Sequence, residues 1–433
     1  MTPAQVGILG CLVLLLLLAS SMPVAFVMGL VGLIGFALLV DPEAAMSLTA
    51  TDLYDTFANY HLTVIPLFVF MGQIAFHAGI SRRLFDSAQR WLGALPGGLA
   101  MATVGACTAF GAICGSGPAT AATMSTVALP EMKRYGYSME LGTGAVAAGG
   151  GLGMLIPPSV VFIVYGVMAE QSVGALFMAG IVPGILIACM FCLTIHINCT
   201  RRPHLAPPCE RSSWRERFAS LAGTAETLII FTIVIGGLFL GWFIPTEAAA
   251  LGAASCLAVA LIKRQMSWHG LVQSLKETVR TSCMVLTIVA GAKIFGHFLA
   301  VTRIPNSLAG TLGELALPPW IVMAGIILFF LVGGCFVDAL ALILLTIPIF
   351  LPVIVDLGYD PVWFGVIIVL VTQMGVITPP VGVNVYVVSG MERDVSLQTV
   401  FKGTMPFLVA LVVAAGLLIA FPQLVLFLPN LMT

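Results

Sequence analysis

The segment GGGLGMLIPPS occupies positions 149–159 in the middle of an apolar stretch. Glycine lowers helix stability, and proline removes a hydrogen-bond donor and clashes with the preceding turn, so this segment predicts a helix that unwinds. Unpaired backbone groups are tolerated in the hydrocarbon core of a membrane only where protein or a water-filled cavity satisfies them. Broken helices of this kind bind ions and polar solutes in secondary transporters. The alternative is a packing kink, in which small residues let neighbouring helices approach closely.

A second segment of the same type, GVITPPVGVN, lies at positions 375–384. Its double proline follows the first one by 222 positions. The same offset relates six further pairs of identical residues or dipeptides: 153 to 375, 129–130 to 351–352, 136–137 to 358–359, 95–96 to 317–318, 111 to 333, and 23 to 245. This repetition predicts a tandem duplication whose unit is about half of the chain.

The composition predicts an all-α integral membrane protein. Hydrophobic residues make up 60% of the chain, charged residues only 9%, and the mean hydropathy is +1.09. The long apolar runs favour helices over a transmembrane β-barrel, whose strands would be short and alternating. The net charge of -1 says nothing about nucleic acid, but no basic patch interleaved with aromatic residues appears, so no nucleic-acid partner is expected. Ten scattered cysteines without metal-ligand spacing are interpreted as small buried hydrophobes.

The apolar runs predict two repeats of about five spans each, at 1–199 and 223–433, separated by a basic cytoplasmic linker at 200–222. In the first repeat we expect spans at 4–20, 22–40, 61–80 and 174–198, a re-entrant helical hairpin at about 97–132, and the broken helix at about 139–169. The acidic segment 41–60 is expected to be a loop, and the amphipathic segment 81–92 an interfacial helix.

The second repeat is expected to follow the same plan. We predict spans at 223–242, 246–262, 281–301 and 398–427, an amphipathic stretch at 267–280, an interfacial arm at 304–316, a hairpin at about 319–355, and a broken helix at about 361–391. An odd number of crossings per repeat inverts the second repeat relative to the first, which is a common architecture of secondary transporters.

The distribution of basic residues sets the predicted orientation. With the N-terminus outside, the basic loops all fall on the cytoplasmic side; they are 81–95, 133–134, 201–217, 263–280 and 393–402. These loops contain sixteen of the eighteen Lys and Arg residues. The positive-inside rule therefore predicts that both termini are periplasmic and that the two hairpins enter from opposite faces. Arg82 and Arg83 are interpreted as topology and lipid headgroup determinants.

Two hairpin tips, each beside a broken helix, are expected to enclose a polar site near the membrane midplane. Helix N-termini suit an anion there, and unwound carbonyls and helix C-termini suit a sodium ion. The first group of candidates comprises Gly115, Ser116, Gly117, Thr120, Gly149, Gly153 and Pro157. The second group comprises Val337, Asp338, Gly375, Thr378, Pro379 and Asn384. The oxygen donors fit sodium better than a transition metal.

Two charged residues in the apolar runs are weighed separately. Asp338 holds the repeat position of Ser116, and a carboxylate in the membrane costs about 2.5 to 3.5 kcal/mol on insertion scales, so it is a functional candidate. Its alternative roles are to pair with a hairpin-tip amide or to lie at the membrane edge. Lys293 shares a helix face with His297; it either contacts an anionic solute, reaches the interface, or pairs with a carboxylate.

An enzymatic interpretation was tested against the run Gly115-Ser116-Gly117, which suggests a serine hydrolase. The run lacks the full nucleophile-elbow pattern, and no histidine lies in a matching motif. A hydrolase also gives no reason for an inverted duplication. We therefore predict that the protein is not an enzyme, and the absence of a P-loop argues against direct ATP hydrolysis. No organic cofactor is expected.

Four motifs resemble one family of membrane proteins: CGSGPATAAT at 114–123, GLGMLIPPS at 151–159, PTEAAA at 245–250, and TPPVGVN at 378–384. They resemble, in the right order and over essentially the whole chain, the large permease subunit (DctM type) of tripartite ATP-independent periplasmic (TRAP) transporters. The resemblance implies an elevator-type transporter of the bacterial inner membrane that takes up an organic acid with sodium. The solute would be a dicarboxylate, sialic acid or a similar carboxylate.

The resemblance also implies partners and sites. A periplasmic binding protein (DctP type) would deliver the solute, and a small four-helix membrane subunit (DctQ type) would assist; this chain begins directly with the large subunit, so a separate small subunit is expected. The family's sodium sites match Ser116, Gly117, Gly153, Asp338, Gly375 and Thr378. The alternative is a stand-alone sodium/carboxylate symporter of the same fold. Importing an anion against the membrane potential costs about 2.3 kcal/mol per charge per 100 mV, which sodium cotransport would offset.

Overall fold

The computed structural model describes residues 2–20, 22–207, 212–305, 307 and 318–431. All regular secondary structure in these ranges is helical. The N-terminal half contains α1 (Pro3–Ala19), α2 (Val24–Leu39), α3 (Pro42–Phe57), α4 (Val64–His77), α5 (Ile80–Leu92), α6 (Gly98–Cys114), α7 (Gly117–Arg134), α8 (Met139–Leu155), α9 (Val160–Met168) and α10 (Val173–Arg201).

The C-terminal half contains α11 (Trp214–Ala222), α12 (Ala225–Phe239), α13 (Pro245–Ile262), α14 (Trp268–Thr302), α15 (Pro319–Gly334), α16 (Ala339–Asp356), α17 (Pro361–Gly375), α18 (Val383–Met391), α19 (Leu397–Ala420) and α20 (Gln423–Leu426). Short 3-10 turns at Tyr60–Thr63, Pro203–Leu205 and Pro429–Leu431 complete the description.

Within the described ranges, seven helical segments are long and apolar enough to cross a membrane, or eight if the bent pair α11–α12 is counted as one span. Five shorter helices are also apolar: α1, α2, α6, α15 and α17. The chain is therefore a multi-pass membrane protein. The segment Met139–Met168, which is α8 and α9 with the break between them, is 89% buried inside the protein and forms its centre.

The segment 41–60, expected to be a loop, is mostly helical. Asp41 caps α3, because one carboxylate oxygen accepts hydrogen bonds from the N–H groups of Glu43 and Ala44 at 2.9 and 3.0 Å. Pro42 takes the first helical position, where its missing N–H costs nothing. The acidic composition that suggested a loop is thus the N-terminal signal of a helix.

Three other expectations about boundaries differ from the structure. The amphipathic stretch 267–280 and the span 281–301 form one helix, α14, of 35 residues, because no proline separates them. The predicted linker contains α11, which begins with a capping box between Ser213 and Glu216. The last long helix ends at Ala420, two residues before Pro422, and not at 427. The interfacial arm predicted at 304–316 lies mostly outside the described residues.

The two halves of the chain interlock. α2 packs along α14, and α4 packs along α13, so each helix has its main partner in the other half. Close approach depends on glycine: a Cβ on Gly32 would lie 2.7 Å from the backbone N of Phe295, and a Cβ on Gly291 would lie 2.4 Å from the carbonyl oxygen of Ala25. At these points no larger residue fits without moving the backbone.

Candidate functional site

The tip of the first hairpin, between α6 and α7, is joined to the break between α8 and α9. Gly115 ends α6 in the left-handed conformation, with φ of 65°. Its carbonyl oxygen accepts a hydrogen bond from the N–H of Val160 at 3.2 Å. A Cβ at this position would lie 2.5 Å from the carbonyl oxygen of Pro158, so both backbone geometry and space require glycine.

Ser116, Thr120 and Gly153 meet at the same tip. The carbonyl oxygen of Ser116 accepts hydrogen bonds from the N–H of Thr120 at 3.0 Å and from its hydroxyl at 2.7 Å. A Cβ on Gly153 would lie 2.7 Å from the Thr120 hydroxyl oxygen and 2.9 Å from the Ser116 carbonyl oxygen. The glycine of the α8 helix therefore lets the hairpin tip sit directly on the helix end.

The other candidates of the first group lie around this contact. Gly117 packs beside Met154, whose Cγ would be 3.0 Å from a Cβ at that position. Pro157 is buried and is followed by a cis peptide bond to Pro158. Gly149 lies against Cys107 in the middle of α6, away from the tip. Its position is that of a helix-packing residue.

The second hairpin, α15 and α16, carries Asp338 at its tip. Asp338 caps α16, and its Oδ2 accepts a hydrogen bond from the N–H of Leu340 at 3.0 Å. Gly334 in the same hairpin contacts Gly375 at the end of α17, where a Cβ would lie 2.4 Å from the Gly334 carbonyl carbon. This hairpin is thus also packed on a helix break through glycine.

The second break, 376–382, is more open than the first. Pro379 is exposed and is followed by a cis peptide bond to Pro380. The hydroxyl of Thr378, half-buried, donates to the carbonyl oxygen of Met374 at 2.6 Å. Asn384 is fully buried and donates from Nδ2 to the carbonyl oxygen of Ala147 at 3.1 Å. Asn384 therefore faces the first broken helix.

Both hairpin tips line one cavity of about 270 Å³. The first tip contributes 114–119, the second contributes 338–340, and the first helix break contributes Met154, Val160 and Val161. The opposite wall comes from α4 and α14, with Val69, Gln73, Thr281, Met284 and Val285. Ser116 and Asp338, expected in two groups around separate helix breaks, thus share one chamber, whose described lining contains no Lys, Arg or His.

Nine of the predicted site residues do not line this cavity: Thr120, Gly149, Gly153, Pro157, Val337, Gly375, Thr378, Pro379 and Asn384. Sequence reasoning missed two polar groups that do, Gln73 and Thr281, because their helices carry no motif. It also missed Gln373, which is fully buried and whose side-chain amide has no hydrogen-bond partner among the described residues. The offset of 222 could have found Gln373, since it is the repeat counterpart of Gly151.

The charged residues of α14 lie outside the cavity lining. His297 pairs with Asp52 of α3, with 3.3 Å between Nε2 and the carboxylate oxygens. Lys293 is half-buried and makes no ion pair with any residue that the structure describes. Of the two residues on this face, His297 is the one that meets a carboxylate.

Comparisons with known proteins agree with this arrangement. The family model described as "Tripartite ATP-independent periplasmic transporter, DctM component" matches residues 11–424. The C4-dicarboxylate TRAP transporter large permease protein of Pseudomonas aeruginosa is 38% identical over 394 residues, which are 91% of each chain. The sialic acid TRAP transporter large permease protein of Vibrio cholerae is 34% identical over 416 residues, which are 96% of each chain.

A solved structure with the same fold is that of the YdaH transporter of Alcanivorax borkumensis. Its TM-score is 0.64 at 15% sequence identity, and the match covers 98% of this chain and 100% of that one. At this identity the likeness shows the fold alone. The family model and the two permease proteins, each matched over nearly their full length, show more: the chain belongs to the DctM family of large permease components of TRAP transporters.

Proposed function

We propose that this chain is the large membrane subunit of a sodium-driven importer of an organic acid in a bacterial inner membrane, with both termini periplasmic. A periplasmic binding protein delivers the solute, and a separate small membrane subunit completes the complex. One observation carries the proposal: the tips of the two hairpins, with Ser116 and Asp338, face one cavity of about 270 Å³.

The charges of the cavity favour a cation as the coupling ion. Asp338 is exposed to the cavity, and the described lining offers no basic side chain to balance an incoming carboxylate. Two like charges about 4 Å apart repel by about 4 kcal/mol at an effective dielectric constant of about 20. Sodium ions bound with the solute would remove this repulsion and would add the positive charge that uptake against the membrane potential requires.

The hairpin tips offer oxygen atoms suited to sodium. The hydroxyl of Ser116 has no hydrogen-bond partner among the described residues, and the carboxylate of Asp338, whose Oδ2 caps α16, lines the cavity. Carbonyl groups at the two helix breaks supply further hard donors. We assign Ser116 and Asp338 to ion and solute binding, while Gly153 and Gly375 set the distance between each tip and its helix break.

The packing separates a framework from a candidate moving unit. The framework consists of α2, α4, α13 and α14, which interlock through close helix contacts. The hairpins pack on the broken helices, with α6 and α7 on α8 and with α15 and α16 on α17, and α16 also contacts α14 of the framework. In the elevator mechanism that we propose, the second group would carry the cavity past the first.

The test is uptake of labelled succinate and sialic acid into proteoliposomes that contain this chain, the small subunit and the binding protein. Each component is omitted in turn, with and without an inward sodium gradient, and potassium replaces sodium as the control. We expect uptake only with sodium and all three proteins. Sodium-dependent uptake by this chain alone would contradict the tripartite assignment and support the stand-alone symporter. Uptake independent of sodium would contradict the ion coupling.

A further inference from the structure

A second cavity, which we call the lateral groove, lies between α10 and α12. Its volume is about 410 Å³. It is lined by residues from α5, α6, α10 and α12, together with Ile156 at the first helix break: Leu84, Val104, Gly105, Thr108, Ala109, Ala112, Ile156, Ile181, Ile185, Ala188, Cys189, Cys192, Thr227, Leu228 and Phe231. None of these described lining residues is charged, so the groove suits an apolar occupant.

The dimensions of the lateral groove fit one hydrocarbon chain. Along α10 it extends from Ile181 to Cys192, which is about 16 Å at 1.5 Å per residue. Half of a bilayer's hydrocarbon core is about 15 Å. A volume of 410 Å³ spread over about 16 Å gives a mean cross-section of about 25 Å², so the groove is long and narrow, as a single hydrocarbon chain is.

One end of the lateral groove lies beside the amphipathic helix α5. A Cβ on Gly105, a lining residue, would lie 3.9 Å from both Ala88 and Leu92 of that helix. The neighbour of Leu92, Trp91, donates from its indole N–H to the carbonyl oxygen of Arg217 in α11 at 3.2 Å. The groove therefore ends next to the contact between α5 and α11.

This contact has the features of a phospholipid headgroup site. Trp91 packs edge-on against Trp214 and Phe218, with ring centroids 6.4 and 5.6 Å apart, which is typical of aromatic residues at a membrane interface. The guanidinium of Arg217 lies 5.0 Å from the ring of Trp214. Its Nε is buried and lacks an acceptor within the part of the chain that the structure describes. A phosphate oxygen would supply this acceptor.

Other basic residues lie on the same two helices. α5 carries Arg82, Arg83 and Arg90, and α11 carries Arg215. We propose that the lateral groove binds one acyl chain of an anionic phospholipid whose phosphate is held by Arg217 between α5 and α11. The acyl chain fills the space between α10 and α12, two helices that touch each other only sparsely.

Photo-crosslinking tests the site. The full chain is reconstituted with phosphatidylglycerol that carries a diazirine at the end of one acyl chain, and crosslinked peptides are mapped by mass spectrometry. We expect labelling to concentrate in 181–192 and 104–112. Gly105→Phe and Ala188→Phe fill the groove and are expected to lower this labelling severalfold. The control Gly416→Phe lies on α19 in open space and should leave it unchanged.

The headgroup is tested with Arg217→Gln. This variant should keep the acyl labelling at high lipid concentration but lose the preference for phosphatidylglycerol over phosphatidylcholine. Labelling spread evenly over all lipid-facing helices would overturn the proposal. Loss of groove labelling when the small subunit is added would also overturn it, because the occupant would then be a protein. Two controls guard against a variant that fails to fold. The first is the use of two different groove-filling variants. In the second, unlabelled phosphatidylglycerol competes with the labelled lipid for the native chain, and no substitution is needed.

Discussion

Gln373 lies against Gly151, and the two hold equivalent positions in the two repeats: a Cβ on Gly151 would be 2.6 Å from Cγ of Gln373. Equivalent positions of two units related by a two-fold operation can touch only near the axis. The pseudo-axis of the duplication therefore passes between α8 and α17. At this position one half of the chain leaves the space open with a glycine, and the other half fills it with the Gln373 side chain.

This contact predicts strong coupling between the two positions. Gly151→Ala forces its new methyl group into the Gln373 side chain and should lower the melting temperature of the purified protein. Gln373→Ala makes room for that methyl group, so the double variant should be more stable than the sum of the single effects predicts. Coupling between touching residues is about 0.5 to 3 kcal/mol. Additive shifts in a thermal-unfolding assay would show that the two residues do not constrain each other.

Asp338→Asn should raise the sodium concentration needed for half-maximal uptake by about tenfold or more, because hydrogen-bonding and ionic contacts to a charged group contribute about 1.5 to 3 kcal/mol. Asparagine caps a helix as well as aspartate does, so α16 should remain intact.

Asp360→Asn is the matched control. Asp360 caps α17 by accepting from the N–H groups of Val362 and Trp363 at 2.7 and 3.0 Å, and it does not line the cavity. Equal sodium dependence of the two variants, at equal expression, would remove Asp338 from the ion site. Ser116→Ala, measured in the same way, should raise the sodium concentration needed for half-maximal uptake by less than Asp338→Asn does, because it removes a neutral ligand and not a charged one.

Gly153→Ala should abolish most uptake without preventing membrane insertion. The new methyl group would meet Thr120 and Ser116 closer than 3.0 Å and would push the hairpin tip from its helix break. Gly390→Ala in α18, where no atom lies within 4 Å, is the control and should behave like the native chain. The measurement is uptake in proteoliposomes at matched protein content. If Gly153→Ala transports as well as the native chain, the prediction is wrong and the hairpin tip tolerates displacement.

An ion pair joins the end of the first hairpin to the segment after α18. Nζ of Lys133 lies 2.5 Å from Glu392 and 3.4 Å from Asp394. Ion pairs at this degree of exposure contribute little to stability, so Lys133→Glu should destabilise the protein only mildly, through repulsion. Glu392→Lys in the same chain should restore most of the loss in a thermal-unfolding assay. Failure of the exchange to restore stability would show that the pair is incidental.

The sequence predicts well those features that depend on local chemistry. Glycine and proline mark both helix breaks at one offset, because these residues act through their own backbone. Asp41 and Pro42 are local signals of the same kind: they start the helix α3 within a polar segment that was expected to be a loop.

Features that depend on tertiary packing were not predictable in this way. Nothing in the neighbourhood of Asn384 indicates that its amide reaches Ala147 across the protein, or that Gln73 and Thr281 face the hairpin tips. The sequence indicates that each hairpin tip lies beside its own helix break, but not that the two tips face each other. Both tips line one chamber because each hairpin packs on its own broken helix and the two broken helices contact each other, which no single motif encodes.

The interlocking of the halves also constrains biogenesis. α2 ends at Leu39, but its partner α14 begins only at Trp268. At roughly 5 to 20 residues per second, the ribosome needs roughly 10 to 50 seconds to synthesise the intervening chain. During that interval the face of α2 around Gly32 has no partner from this chain. Co-translational insertion therefore places the N-terminal helices in the bilayer before they can pack, and the framework closes only when the second half arrives.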